Sequence, residues 1–583
     1  MHRYLCGIAV AAAFALPAQA ADMPLKAPPP AAPAWTGFYL GLGIGFRGTV
    51  DDPTVTSGTE TVAGTPPFDI FGNCLPTAMT AYAGACSSGE PMDGTAFRVA
   101  PFWGYNLQIA PRWVVGVEGD WGWANQKTSL SGMIYPAPGP GSEYPWTGNP
   151  NDTFAVRTTW DASARARVGF LVNPSVMLYG TGGAAWMHIE STSTCDTATY
   201  MRLIGFCSAG QLSPSIITDA TTKLGWTAGA GVEARIWSHW LARAEYRYAD
   251  FGAVHNIDTR TSTSSPTFTD VFSYDLRLRT HTVTFGIAYL FGDAPTLPGA
   301  PILRAPIDQA PAADVSWTGL YLGVGAGLRA DQSRGTVTSD TDIIGGAPIN
   351  RLAGFFGCAD VPCTLGEPFN GFSAKIAPYF GYDWQIARQW VAGVEGDWAW
   401  ADHTTTLTGM IYPMQIPNSL GNAYFTGNVN DNFSIRTTWD ASARGRLGYL
   451  VTPTMLLYAT GGAAWLHVES TSTCNTISSQ NSQCPAGFID RADIADSTTK
   501  LGWTVGGGFE AALGGRWFAR AEYRYSDYGT ISNTDTRNCI AAICATIGGE
   551  STIIGYDVKV RTHTALLGLA YKFNWDRPIT ARD

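Results

Sequence analysis

Apolar and polar side chains alternate over many short segments of this chain. In the segment WDASARARVGF, which starts at residue 160, apolar residues occupy the even-numbered positions, whereas Asp161, Arg165 and Arg167 occupy odd-numbered ones. The segments GVEGDW and ARAEYRY alternate in the same way. Successive side chains of a β-strand point to opposite faces, so each segment predicts a strand with one charged and one apolar face.

Eight such strands are predicted in the first half of the chain. They lie near 36–49, 95–109, 112–125, 154–172, 175–193, 219–236, 240–251 and 273–291. Short turns at Ala110-Pro111, Asn173-Pro174 and Trp237-Ser238 alternate with long connections over 51–94, 126–153, 194–218 and 252–272. Short turns at one end and long loops at the other are typical of outer-membrane β-barrels.

The second half of the chain repeats the first. WTGFYLGLGIGFR at Trp35 returns as WTGLYLGVGAGLR at Trp317, and TTWDASARARVGFL at Thr158 returns as TTWDASARGRLGYL at Thr437. A period near 280 residues is too long for a solenoid repeat and indicates a duplicated domain.

The N-terminus has the pattern of a secretory signal peptide, with a short basic start, an apolar run and an Ala-Gln-Ala cleavage site. Pro- and Ala-rich segments precede each copy and suggest semi-extended linkers. The predicted organisation is a signal peptide (1–20), a leader (21–34), a first barrel (35–292), a periplasmic linker (293–316), a second barrel (317–574) and a C-terminal tail (575–583).

Export, an aromatic-rich apolar face and asymmetric loops indicate that the apolar face meets lipid and the charged face fills the lumen. An eight-stranded barrel is just wide enough to be filled by side chains, and buried charges must be paired. The sequence therefore predicts an interlocked network of arginine and carboxylate side chains in each barrel. Its predicted members are Arg98, Glu118, Asp120, Asp161, Arg165, Arg167, Arg243, Glu245 and Arg247, and Glu395, Asp397, Asp440, Arg444, Arg446, Arg520, Glu522 and Arg524.

The last strand of the first copy fits this scheme less well. Glu233 of the strand at 219–236 is also assigned to the lumen, as are Asp275 and Arg277 of the last strand. In the last strand, however, the residues that follow Arg277 in the same phase include the lipid-type residues Val283 and Phe285. A bulge or register change near Thr280 would reconcile the two halves of the strand.

The motifs WTGFYLG after a Pro/Ala leader, GVEGDW, AEYRY and a closing aromatic strand resemble the small porin-family and opacity-type outer-membrane barrels of alphaproteobacteria. The resemblance covers each copy nearly end to end and implies an all-β fold of two tandem eight-stranded antiparallel transmembrane barrels. Members of that group carry one barrel and end at the terminal aromatic, and some are described as haem-binding or as adhesins. Here Phe573 is followed by NWDRPITARD.

Composition narrows the remaining chemistry. A net charge of −10 without a basic run makes a nucleic-acid partner unexpected. After the signal peptide, ten cysteines form near pairs, which suggests five loop disulfides in an exported protein. The candidate pairs are Cys74/Cys86, Cys195/Cys207, Cys358/Cys363, Cys474/Cys484 and Cys539/Cys544.

Four histidines occupy matching places in the two copies, namely His188, His281, His467 and His563. They are candidates for haem or metal binding, although buried or interfacial histidines explain them equally well. A hydrolase site of His188, Glu190 and Ser191, repeated as His467, Glu469 and Ser470, is the corresponding enzymatic alternative.

The expected function is that of a structural, surface-exposed outer-membrane protein with at most narrow porin-like permeability, without a cofactor and not an enzyme. The alternatives are a single fused sixteen-stranded diffusion porin, and a haem-binding or adhesive barrel that acts through its loops. The expected partners are outer-membrane lipid, lipopolysaccharide, the barrel-assembly machinery and a surface or host ligand of the loops.

Overall fold

Alternating segments of the first copy form one closed antiparallel sheet. A computed structural model of the protein describes residues 35–62, 68–69, 92–131, 153–195, 212–236, 239–262, 268–291, 315–350, 367–408, 432–474, 489–540 and 550–573. The strands of the first barrel are β1 (Gly37–Val62), β2 (Phe68–Asp69), β3 (Gly94–Ala110), β4 (Trp113–Ser131), β5 (Thr153–Asn173), β6 (Val176–Thr194), β7 (Leu212–Ser213), β8 (Ile216–Arg235), β9 (Trp240–Ser262) and β10 (Phe268–Phe291).

The second copy forms another sheet of the same design. Its strands are β11 (Gly319–Ile344), β12 (Ala347–Asn350), β13 (Glu367–Pro368), β14 (Gly371–Gln385), β15 (Trp390–Thr408), β16 (Asn432–Thr452), β17 (Met455–Thr473), β18 (Asp493–Gly514), β19 (Trp517–Asn538) and β20 (Glu550–Phe573).

Each sheet closes on itself. The first long strand pairs with the last in both copies, β1 with β10 and β11 with β20. No described strand of one sheet is hydrogen-bonded into the other. The prediction of two tandem eight-stranded barrels is confirmed, and the fused sixteen-stranded alternative is wrong. Among the described residues there is no helix long and apolar enough to cross a membrane.

Several strands are longer than their alternation predicted. β1 continues to Val62. β9 extends to Ser262 and β10 begins at Phe268, so only five residues separate these two strands where a connection over 252–272 was predicted. The extensions are rich in Thr, Asp and Ser rather than apolar residues. Their outer face meets water, and therefore they lack the lipid-facing signal on which the prediction relied.

An apolar belt surrounds the lower part of each barrel, and we call it the membrane band. In the first barrel it includes the outward-facing residues Phe38, Leu40, Leu42, Ile44, Phe97, Trp103, Tyr105, Leu107 and Ile109. The twelve residue steps from Phe97 to Ile109 correspond to a height of roughly 30 Å for a strand tilted by about 40°. This height matches the hydrocarbon core of a bilayer.

The strand β9 contains an extra residue, Phe251, where its pairing with β8 stops. The last β8–β9 pair is Trp226 with Asp250, and the register between β9 and β10 shifts at the same place. Gly252 has a φ of 68°, and its N–H donates to Asp250 Oδ1 at 2.8 Å. A left-handed φ favours glycine, which explains the Asp-Phe-Gly sequence at this bulge.

This bulge lies in β9, and β10 keeps a single phase throughout. Asp275 and Arg277 lie on the outer face, as do Val283 and Phe285. The assignment of Asp275 and Arg277 to the lumen was therefore wrong. Asp275 and Arg277 lie above the membrane band, where the outer face meets water. One face of the strand can therefore change from charged to apolar residues without any change of register.

The two barrels pack against each other through corresponding residues. The shared apolar cluster contains Val176, Val232, Ala234, Ile236 and Ala244 of the first barrel with Met455, Phe509, Ala511 and Ala521 of the second. Higher up, the ring of Phe46 stacks on Tyr523 at 4.5 Å, and that of His281 stacks on Phe372 at 5.8 Å. Most residues in this contact have their counterpart from the other copy in it too, so the interface is close to two-fold symmetric.

Candidate functional site: the filled interior of each barrel

A network of buried charges fills the first barrel within the membrane band. Arg165 donates from Nη1 to Glu245 Oε1 at 2.5 Å and from Nη2 to Glu118 Oε1. Glu118 also accepts from Arg243 Nη1 at 2.5 Å and from the Tyr39 hydroxyl at 2.7 Å. Because Glu118 has several donors and no contact with water, its negative charge is compensated within the protein.

A second group of ions lies above the first. Asp161 accepts from Arg47 at 2.7 Å and from Arg98 at 2.5 Å, and Arg98 also reaches Asp120 at 2.5 Å. Arg247 donates to Asp120 at 2.7 Å and to Asp161 at 3.2 Å. Each carboxylate is therefore shared between arginines, whose planar groups suit such multiple contacts.

The second barrel repeats the arrangement. Glu395 accepts from Arg520 at 2.5 Å, from Tyr321 at 2.8 Å and from Arg444, which also donates to Glu522 at 2.8 Å. The upper group pairs Arg524 with Asp397 at 2.8 Å, and joins Lys375 and Arg329 to Asp440 at 2.5 and 3.0 Å. Apart from Asp275 and Arg277, which lie on the outer face, the structure thus places the predicted charged residues inside the barrels, with at most 6% of their surface exposed.

Several members of the network were not predicted. Arg47, Tyr39, Tyr179 and their counterparts Arg329, Tyr321 and Tyr458 were not assigned, and neither were Lys375, Asp383, Glu510 and Lys572. Most of them lie in glycine-rich or aromatic segments where charged residues are isolated. The one available signal was the phase of each strand. Tyr39 and Arg47 lie eight positions apart in one strand, so they point to the same face.

The end of each lumen that carries the short turns is closed by an aromatic side chain. Trp35 and Trp317 are almost completely buried, and their indole N–H groups donate to the carbonyl groups of Pro174 at 3.1 Å and Pro453 at 3.0 Å. The Trp-Thr-Gly motif that opens each copy therefore supplies an apolar plug beneath the charges.

The upper end is filled in a different way. Above the membrane band the first barrel contains an apolar core of Met92, Leu130, Phe154, Val156, Ala185, Met187, Ile189, Ala249, Phe251, Val254, Tyr274, Leu276 and Leu278. A matching core fills the second barrel. Here the apolar face points inward and the polar face outward, as in a soluble protein, because the outer surface meets water instead of lipid.

The four candidate histidines lie on the outer faces of the barrels, away from the lumen. The ring of His188 stacks on Trp160 at 5.7 Å, and Nδ1 bonds to the Thr222 hydroxyl at 3.1 Å. His467 has the same surroundings. His281 and His563 bond to tyrosine hydroxyls of the neighbouring strand and lie at the contact between the barrels.

The hydrolase alternative fails on geometry. His188 Nε2 lies 3.6 Å from Glu190 on the outer face, but Ser191 points inward, where its hydroxyl bonds to that of Tyr274 at 3.0 Å. Ser470 is likewise directed inward to Tyr556, away from His467 and Glu469. Neighbouring residues of a strand point to opposite faces, so these side chains do not meet.

Three of the candidate cysteines lie within the described residues. Cys195, Cys474 and Cys539 are disulfide-bonded. The remaining candidates lie outside the described residues, namely Cys74, Cys86, Cys207, Cys358, Cys363, Cys484 and Cys544. The signal peptide, residues 293–314 of the linker and the C-terminal tail also lie outside them. Their pairing stays a prediction.

This geometry defines a class of protein: membrane β-barrels whose interior is occupied by their own side chains. Comparison with known proteins then gives the family. The model of the outer membrane protein beta-barrel domain matches the chain twice, over residues 6–291 and 307–573. The chain belongs to this family and carries its domain in tandem, so the resemblance seen in the sequence is confirmed.

Its relatives are outer-membrane proteins. The chain is 28% identical to the 31 kDa outer-membrane immunogenic protein of Brucella melitensis over 47% of this chain and 89% of the relative. It is 31% identical to the 22 kDa outer membrane protein of Rhizobium leguminosarum over 26% of this chain and 50% of the relative. The crystal structure of OprG from Pseudomonas aeruginosa aligns with 44% of this chain and 97% of that chain, at 12% identity and a TM-score of 0.23. The family and the Brucella relative establish the outer membrane as the location of this protein.

Proposed function

We propose that this protein is a non-conducting structural barrel pair that holds its long loops outside the outer membrane. The observation that carries the proposal is the continuous filling of each barrel, from the buried Trp35 through the charge network to the apolar core. A solute would have to break buried ion pairs to pass, which costs several kcal/mol for each charge left without its partner.

The upper extensions support display as the positive role. These extensions place the loop-bearing ends of the strands above the membrane band. The apolar cores inside the extensions stabilise them as a scaffold for the connecting loops. Lipid and lipopolysaccharide would contact the membrane band, and a surface or host ligand would contact the loops. The proposal assigns no enzymatic reaction, because the candidate serine and histidine side chains point to opposite faces.

Planar-bilayer conductance of the refolded protein tests the closed lumen. Wild type should show no steps of the size given by an open diffusion pore. The Glu118→Ala/Arg165→Ala variant removes one acid and one base from the centre of the first barrel, and it should admit ions if it folds. Folding is checked by the shift of the folded band in unheated gel electrophoresis. Open-pore steps from wild type would contradict the proposal.

Epitope tagging tests the display role. A tag placed between residues 263 and 267 should be detected by antibody on intact cells. The same tag placed in the turn after Asn173 should be detected only after the outer membrane is opened. The reverse result would invert the orientation on which the proposal depends.

A further inference from the structure

The first barrel holds a second polar group directly above its charge network, and we call this the upper oxygen cluster. It consists of Thr49, Asp51, Asp93 and Gln126. The backbone N–H of Asp51 lies 3.3 Å from Asp93 Oδ1, and the Met92 N–H donates to the Asp51 carbonyl at 2.9 Å. These bonds hold the two acidic residues side by side above the membrane band.

Gln126 and Thr49 complete the cluster. Thr49 is paired with Gly94, which adjoins Asp93 in the sequence. Gly94 lies against the Gln126 amide so closely that a Cβ at this position would come within 2.1 Å of Nε2. Gln126 Nε2 donates to Thr128 Oγ1 at 3.1 Å, which leaves its Oε1 available. Strands β1 and β4 and the residue that precedes β3 thus place these four residues next to one another.

The oxygen atoms of this cluster are buried and mostly lack donors. Asp51 is completely buried, and among the described residues nothing donates a hydrogen bond to either of its carboxylate oxygens. Thr49 Oγ1 and Gln126 Oε1 are also buried without a partner there. Burying a carboxylate without a compensating group is costly, so a positive charge at this position would stabilise the ionised carboxylates.

The charge of Arg47 acts on Asp51, but among the described residues no cation forms a hydrogen bond or ion pair with the side chain of Asp51 or Asp93. Arg47 is committed one level below, where its guanidinium donates to Asp161 at 2.7 Å and to the Ala124 carbonyl at 2.6 Å. On the outer wall, Arg279 lies 3.9 Å from Asp52. Burial raises the pKa of Asp93 to about 8, and burial together with the charges of Asp93 and Asp52 raises the pKa of Asp51 well above its usual value.

The second barrel has no such cluster at the corresponding place. Its residues are Asp331, Ser333, Asn370 and His403, in place of Thr49, Asp51, Asp93 and Gln126. Asp331 is paired with Arg329 at 3.2 Å and accepts from the Thr437 hydroxyl at 2.6 Å. The two adjacent acids therefore belong to the first barrel alone, and the second barrel shows that the fold tolerates Ser and Asn in their places.

We propose that the upper oxygen cluster of Thr49, Asp51, Asp93 and Gln126 binds a divalent cation, with Ca²⁺ as the best fit. Calcium takes six to eight oxygen ligands in a flexible geometry and accepts carboxylates, amide carbonyls and water together. Two carboxylates neutralise its charge, and the hydroxyl and amide oxygens add neutral ligands. The affinity is expected in the range of extracellular calcium modules, roughly 10⁻⁴ to 10⁻³ M.

Calcium titration of the full-length refolded protein, freed of metal with a chelator, tests the site. Isothermal calorimetry with CaCl₂ should show one saturable event in wild type, and calcium should raise the unfolding temperature. The Asp51→Ser/Asp93→Asn variant carries the residues of the second barrel. It should lose this event, with affinity reduced at least tenfold, and its unfolding temperature should not respond to calcium.

Two results would overturn the assignment. One is the absence of heat and of thermal stabilisation in wild type at millimolar CaCl₂, which would mean that protons alone neutralise the cluster. The other is an unchanged calcium event in the double variant, which would place binding elsewhere on the chain. If the double variant fails to fold, Asp51→Asn keeps the side-chain shape and tests the same loss. Bilayer conductance is independent of these outcomes, so the proposed closed lumen is tested separately.

Discussion

The two barrels are built alike at their centres and differ at both ends of the lumen. Glu118 and Glu395 hold equivalent arginines and tyrosines at closely similar distances. At the short-turn end, however, the second barrel has Lys572 donating to Asp383 at 3.0 Å, where the first has Leu290 and Asn106. Both members of this pair are changed together between the copies.

In these lumens, a buried charge therefore occurs together with its partner. An ion without its counter-ion in a dry interior is destabilising, whereas replacement of the whole pair by neutral residues is close to neutral. The upper oxygen cluster is the exception, because Asp51 and Asp93 occur together without an added base. That exception is why a cation is inferred at this position.

The largest effect is expected from removal of a central acid. Glu118→Ala removes one of the two carboxylates that Arg165 and Arg243 share, the other being Glu245, and should lower the free energy of unfolding by about 3–5 kcal/mol. Glu395→Ala should cost a similar amount in the second barrel. Urea titration of the refolded variants, followed by tryptophan fluorescence, measures both losses. A cost below about 1 kcal/mol in either barrel would show that water replaces the missing carboxylate there.

A smaller effect is expected at the short-turn end of the second barrel. Lys572→Leu removes the lysine that donates to Asp383 and leaves this carboxylate with Arg446 at 3.7 Å. It should cost about 3 kcal/mol, the lower end for a broken buried pair. Adding Asp383→Asn recreates the residues of the first barrel and should recover most of the loss. Urea titrations of the single and double variants form the comparison. Equal losses in both would mean that the two residues are not coupled.

The raised pKa values of the upper oxygen cluster should make the stability of the first barrel depend on pH. The pKa of Asp93 is raised to about 8, while an unfolded aspartate titrates near 4. Between pH 4 and pH 8 the unfolded state ionises while Asp93 in the folded state keeps its proton, so stability falls as pH rises through this range. Measured with chelator present, wild type should lose at least about 2 kcal/mol more than Asp51→Ser/Asp93→Asn over this range, since one pKa unit is worth roughly 1.4 kcal/mol. Parallel pH profiles for the two proteins would contradict this expectation.

The smallest effect is expected on the outer wall. Arg157 pairs with Glu190 at 3.3 Å, and Arg436 pairs with Glu469 at 3.3 Å and Asp402 at 2.6 Å, all partly exposed. Exposed pairs contribute roughly 0 to 1 kcal/mol, so Arg157→Ala and Arg436→Ala should each lower stability by less than about 1 kcal/mol. A loss as large as that of Glu118→Ala would show that these pairs are less exposed to solvent than the structure indicates.

Much of the site followed from strand periodicity. The alternation in WDASARARVGF was sufficient to place Asp161, Arg165 and Arg167 on one inner face, because a strand can present a side chain to only two sides. The same rule failed for Asp275 and Arg277. Periodicity separates the two faces of a strand but does not say which solvent each face meets at a given height.

The sequence alone was enough to predict the duplication, the strands of the membrane band, the charged face and the outer-membrane class of the protein. These features repeat over short distances or between copies, so they are visible without contacts. The folded structure was needed to show that each copy closes on itself, that the lumen changes from charged to apolar above the membrane band, and that Asp51 meets Asp93 beside Gln126. The physical reason is that partners of a buried charge come from strands far apart in the chain, as Arg243 and Glu118 do, and closure of the barrel is what brings them together.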